Sequence, residues 1–166
     1  MVAEKTLVLE LTLTVRDMTT DDLPGLAWSG SPLHIENMAG QLKRARVGVV
    51  DYLVVCIPSG ASVAKGGIDY ETKPGAGSLT QFAVRAEFQS LGIGTFLIGA
   101  TEDRIRARGL CSAELDVEEN NPRARALYER LGYVAFGRQL ESWDQQRPDG
   151  TIEHYETMCT LMRKDL

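Results

Sequence analysis

Gly92 and Gly94 stand in the stretch EFQSLGIGTFLIGA, Glu87 to Ala100, directly before Ile93, Phe96, Leu97 and Ala100, whose spacing is that of an apolar helix face. A helix that starts behind residues without side chains leaves its first N–H groups uncovered and unpaired. Those groups and the positive helix end suit a phosphate or another anion. The neighbours exclude two phosphate-binding designs. A dinucleotide GxGxxG loop needs glycine at position 97, which is Leu, and a nucleoside triphosphate loop needs Gly-Lys-Ser/Thr where the chain has Gly94-Thr95-Phe96. Other reactive side chains are sparse: Cys56, Cys111 and Cys159 with His34 and His154 show no ligand spacing, so neither a disulfide framework nor a metal site is expected.

The elements that must hold this loop follow from periodicity and punctuation. Apolar and polar residues alternate from Val8 to Val15, which predicts a strand, and TTDDLPGLAWSGSPLHIENMAGQLKRAR predicts one or two helices broken around Gly25 and Ser29-Gly30-Ser31. DYLVVCI, SVAKGGIDY and SLTQFAV, separated by PSG and ETKPGAG, read as three strands of an antiparallel meander. The glycine loop then opens a helix that Gly109 stops, after Arg104, Arg106 and Arg108. SAELDV is the next strand. Asn121 caps the following helix, with Pro122 at its first position, Ala124, Leu127, Tyr128 and Leu131 on one face and Gly132 as its stop. YVAFGRQLESW and TIEHYETMCTLM close the chain as two strands around RPDG.

The 166 residues suit one domain, 1–166, and 43% hydrophobic with 25% charged residues is ordinary for a globular protein. A net charge of −5 argues against nucleic acid or an anionic membrane as the main partner. The N-terminal stretch is broken by Glu4, Lys5, Glu10 and Arg16 and carries neither a signal-peptide core nor a span. A cytoplasmic location is therefore expected.

Gln89-x-x-Gly92-x-Gly94, followed by Asn121-x-x-Ala124-x-x-Leu127-Tyr128 and Leu131-Gly132-Tyr133, resembles the GCN5-related N-acetyltransferase (GNAT) superfamily. The paired motifs cover Leu79 to Tyr133 and are far more specific together than the glycines alone. The resemblance implies an α/β (α+β) fold: one domain whose mostly antiparallel mixed sheet splays between two parallel strands, here SLTQFAV and SAELDV, with flanking helices. It implies acetyl-coenzyme A as co-substrate, its pyrophosphate on the backbone amides of Ser90, Leu91, Gly92, Ile93, Gly94 and Thr95 next to Gln89. Pantetheine would lie along Phe82, Ala83 and Val84, and Asn121 and Tyr128 would touch the coenzyme. The activity implied is transfer of acetyl to a primary amine of a small molecule, peptide or protein by direct attack, without metal; a homodimer is compatible with it.

By the same resemblance Tyr128 protonates the leaving thiolate. Without it, Tyr128 is a core tyrosine and Asn121 only a cap. The family's usual glutamate base falls near Thr80 and Gln81, neither of which accepts a proton usefully. Asp116 stands where the ribosomal-protein acetyltransferases of the superfamily have their glutamate, and is the first candidate base. Asp69, Glu71, His34 and Glu36 follow, and a solvated strand-end role fits Asp116 as well. The acids and aromatics of HIEN, DYE and ESWDQQRPDGTIEHYE suit a cationic acceptor. The absent glutamate keeps a second reading open: an acyl-coenzyme A sensor that binds without transferring. O-acetylation or a longer acyl donor would use the same site.

Overall fold

The computed structural model describes residues 5–166. They form one seven-stranded sheet in the order β1-β2-β3-β4-β5-β7-β6. The strands are β1 (Thr14–Asp17), β2 (Val50–Cys56), β3 (Ser62–Asp69), β4 (Gly77–Val84), β5 (Ser112–Glu118), β6 (Val134–Gln146) and β7 (Ile152–Asp165). A 3-10 segment, Thr20–Ser29, precedes α1 (Pro32–Arg46); α2 (Ile93–Ala107) joins β4 to β5, and α3 (Pro122–Arg130) joins β5 to β6. Only β4 and β5 run parallel; the other neighbours are antiparallel.

Strand β2 is apolar almost throughout because both its faces are covered. Tyr52 and Val54 pack with Leu26, Met38 and Leu42 beneath α1 and the 3-10 segment, while Leu53 and Val55 pack with Ile93 and Leu97 of α2. A further core on the α2 side joins Ile68, Leu79, Ile98, Ile105, Leu115 and Val117, with Leu127 and Tyr128 of α3 packed against it. The expected cap is present, with Asn121 Oδ1 accepting from Ala124 N at 3.1 Å, and Ser31, within the expected break, caps α1 by accepting from His34 N at 3.3 Å. The Val8–Val15 strand needs correction. Pairing begins only at Thr14, opposite Cys56, where β2 ends, so Val8 to Leu13 have no partner strand among the described residues. Leu7, Val8 and Leu9 are exposed.

The parallel pair holds over only three steps, Gly77↔Ala113, Ser78↔Glu114 and Leu79↔Leu115. Beyond Leu79, β4 bulges: its register against β3 shifts between Lys65 and Gly67, and Gln81 takes a left-handed φ of 56°. Gly66 makes room for this bend, since a Cβ there would lie 2.8 Å from the Phe82 ring. Strand β5 meanwhile stays on β7 as far as Glu118↔Cys159. The sheet therefore opens into a V between residues 80–84 and 116–118.

Candidate active site

Two cavities meet at the mouth of this V. One, of about 760 Å³, lies between β4, the start of α2 and α3; the other, of about 810 Å³, lies between α1, β4, β5 and β6. Phe82, Asn121, Ala124 and Tyr128 line both, so a group reaching in from either side arrives at the same four residues.

The first cavity gathers the glycine-loop residues. Phe82, Ala83, Val84, Gln89, Ser90, Gly92, Ile93, Gly94 and Thr95 line it; the Leu91 side chain stands out in solvent. Ser90 and Gly92 both have left-handed φ, 63° and 83°, which turns the chain sharply into α2. The first helical hydrogen bond runs from Phe96 N to Gly92 O at 3.0 Å, so the N–H groups of Ile93, Gly94 and Thr95 have no helical acceptor behind them. A Cβ on Gly94 would sit 3.4 Å from Leu127 Cδ2, so this glycine also sets how closely α2 meets α3. Gln89 Nε2 donates to Val84 O at 3.0 Å and fixes the loop to the end of β4. Arg123, which donates to Ser90 Oγ at 3.0 Å, and Arg130 add positive charge to the lining. Sequence reasoning passed over these two arginines, although their place just after the helix start was visible.

Tyr128 is distinguished by its hydroxyl. Tyr52, Tyr70, Tyr133 and Tyr155 donate to Gln81, Asp51, Glu102 and Glu118 respectively, whereas the Tyr128 hydroxyl has no protein partner among the described residues. Its ring packs edge-on against Tyr133, with centroids 5.8 Å apart. Burial raises its pKa, which keeps the phenol protonated at neutral pH and able to donate. Asn121 serves as the cap of α3 while also lining both cavities.

The second cavity is acidic. Asp69, Asp116, Glu118, Glu141 and Asp144 line it together with Trp143, whose ring lies 5.0 Å from that of Tyr155. The lining guanidinium, Arg44, is held by Asp69 at 2.5 Å and Glu71 at 2.6 Å. Asp69 also accepts from the N–H groups of Glu71 and Thr72; these bonds and Arg44 outweigh its partial burial and lower its pKa. Asp116 reaches this wall, but Lys73 holds its carboxylate at 2.7 Å. His34 lines the cavity; Glu36 is exposed and does not. Gln81 Oε1 accepts from Tyr52 at 2.8 Å. Behind His34 lies a residue the sequence reading missed, Lys65, in the middle of β3 and 1% exposed. A lysine set among SVA and GGI was the available signal.

A sheet split between two parallel strands, with uncovered helix amides on one side of the split and a buried phenol at its apex, is the arrangement that the paired motifs imply. The profile of the acetyltransferase (GNAT) family matches residues 48–133, more than half of the chain, and the chain belongs to that family. Among solved structures it is similar to the ribosomal-protein-S18-alanine N-acetyltransferase of Escherichia coli, at 20% identity, TM-score 0.72 and coverage of 93% of this chain and 94% of that one. The spermidine N-acetyltransferase of Vibrio cholerae, solved with CoA and spermine, shares 19% identity over 92% of this chain and 95% of its own, with a TM-score of 0.67. The PaiA N-acetyltransferase of Thermoplasma acidophilum, solved with coenzyme A, shares 13% over 93% and 99%, with a TM-score of 0.69. At these identities the likeness is one of fold.

Proposed function

We propose that the protein transfers acetyl from acetyl-coenzyme A to the primary amine of a cationic acceptor by direct attack on the thioester. The observation that carries this reading is the Tyr128 hydroxyl, unpartnered at the junction of an amide-lined cavity and an acidic one. The residues present fit the coenzyme. The free amides of Ile93, Gly94 and Thr95 take its pyrophosphate, with Arg123 and Arg130 beside them. The edge of β4 turned away from β3 has lost its strand partner at residues 80–84 and can pair with the pantetheine amides as an added strand. The sulfur then reaches the Phe82–Tyr128 junction, and Tyr128 supplies its proton as the C–S bond breaks.

The acceptor enters through the second cavity. Five carboxylates against one paired guanidinium favour an ammonium, and the Trp143 face adds cation–π attraction. Asp116 is the carboxylate that the sequence offers for the amine proton. With Lys73 on it, it also contributes to the charge that holds the acceptor.

Purified protein incubated with acetyl-coenzyme A and a panel of polyamines, aminoglycosides, peptides and neutral amines tests this reading by free thiol and product mass. Thiol release that depends on a cationic amine, with a 42 Da mass gain typical of acetylation, is expected on the order of catalytic turnover. Coenzyme binding with no release in any arm would establish the sensor reading instead.

A further inference from the structure

Lys65 lies in a sheet covered on both faces, and among the described residues no carboxylate stands within ion-pair distance of it. Its Nζ is 2.8 Å from His34 Nε2 on α1 and 3.3 Å from the Tyr52 hydroxyl on β2. The groups facing this cluster come from every surrounding element. Strand β2 gives Tyr52, bonded on to Gln81; β4 gives Thr80 and Gln81, both uncharged; α1 gives His34 and, further along, Arg44, tied to Asp69 of β3 and to Glu71. The 3-10 segment gives Trp28, which donates to Ser62. With no anion to hold its proton, burial lowers the Lys65 pKa to about 7. Burial, and then the charge of Lys65, lower that of His34 to about 4, so the imidazole is neutral at physiological pH. The His34 ring lines the acceptor cavity with Tyr128, and its Nδ1 has no protein partner among the described residues.

We infer that His34 and Lys65 form the path by which the acceptor amine loses its proton, His34 as the catalytic group that touches the amine and Lys65 as the terminal base behind it. The inference rests on the acetyl-transfer reading and supplies the proton acceptor for it. With Lys65 neutral, His34 donates from Nε2 to Nζ and keeps a lone pair on Nδ1. An ammonium N–H in the cavity breaks toward Nδ1 while the Nε2 proton passes to Nζ. The freed amine lone pair forms the N–C bond, the C–S bond breaks, and the thiolate takes the Tyr128 proton. The second amine proton restores the phenol, and Lys65 returns its proton to solvent through His34. The net products are amide, free coenzyme thiol and one proton.

The test is the pH dependence of kcat/KM for a cationic amine in wild type, Lys65→Met and His34→Gln, the last serving where Lys65→Met does not fold. Wild type should lose activity on the acid side with a midpoint near 7. Each variant should fall by about 10²- to 10⁴-fold at pH 7, the contribution usual for a positioned base, and recover toward high pH, where the amine arrives neutral. KM for acetyl-coenzyme A should stay unchanged. In ¹³C-lysine-labelled protein, one lysine resonance should titrate near neutrality and vanish in Lys65→Met. A wild-type profile in both variants, or a loss equal at every pH, overturns the relay; the same loss and recovery in Asp116→Asn alone assigns the proton to Asp116. A wild type that binds acetyl-coenzyme A and releases no thiol with any amine overturns the acetyl-transfer reading itself, an outcome the lysine titration distinguishes because it needs no turnover.

Discussion

Replacing Lys65 by Met should stabilise the fold, by an amount that shrinks as pH rises. A lysine brought from 10.5 to about 7 by burial loses about 5 kcal/mol at 1.36 kcal/mol per pH unit, measured where it is fully protonated in both states. The folded-state pKa lies below the unfolded one, so between pH 7 and pH 10.5 the unfolded chain binds more protons and stability rises with pH. The cost is fully present below the folded value and gone above the unfolded one. About 4 kcal/mol of it remains at pH 7 and about 2 kcal/mol at pH 9. Methionine fills a similar volume but forfeits the hydrogen bonds to His34 and Tyr52, which takes back about 1–2 kcal/mol. The variant should therefore be more stable by about 2–3 kcal/mol at pH 7 and roughly equal to wild type at pH 9. Urea unfolding of both proteins from pH 6 to pH 9.5 at fixed ionic strength reads this difference. A stability difference that does not change with pH would show that Lys65 keeps its proton throughout, and the reasoning would fail.

Gly94→Val places methyls against Leu127 and into the amide cradle, so the thermal protection by acetyl-coenzyme A, worth about 2.7 kcal/mol at a hundred times the dissociation constant, should largely disappear; an unchanged shift in a folded variant places the coenzyme elsewhere. Tyr128→Phe removes a hydroxyl that bonds to no protein group and should leave stability and coenzyme affinity nearly unchanged while turnover drops by about 10²- to 10⁴-fold. A loss of only a few-fold would leave Tyr128 an orienting ring. Asp116→Asn leaves Lys73 paired with Glu114 alone, at 3.8 Å, and in the reading where Asp116 holds acceptor charge it should raise KM for a cationic amine at every pH without altering the shape of the profile; lost acid-side inflection with recovery at high pH would make it the base.

What could be read from the sequence was whatever depends on near neighbours. The cap Asn121, the stop at Gly132 and the glycine loop act within a turn of where they are written, and each is found in place. The meander was legible for the same reason, short turns between apolar runs. Strand β1 was misread because alternation continues past the point where β2 ends, and a strand needs its partner as much as its pattern. The special standing of Tyr128 among five tyrosines rests on four hydroxyls being satisfied elsewhere in the fold, a question of tertiary hydrogen bonding. Lys65 is similar: its letters are visible in β3, but its burial depends on α1 and the 3-10 segment closing over it.

The bulge in β4 joins these separate features. Its left-handed Gln81 sits in a conformation that costs a non-glycine residue about 1–2 kcal/mol, and the hydrogen bond from Tyr52 helps hold it there. The distortion has two effects at one place. It carries residues 80–84 away from β5, which opens the coenzyme gap, and it keeps the Gln81 side chain on the α1 face, where Tyr52 links it to Lys65. A glutamate at this position would put a carboxylate one hydrogen bond from Tyr52 and two from Lys65, and would draw a proton onto the lysine. With glutamine there, Lys65 has no such anion, and burial can hold it near neutrality. In the proposed relay, the glutamine where the resemblance implies a glutamate and the low-pKa lysine behind His34 are thus two sides of one electrostatic arrangement, with the base on β3 in place of β4.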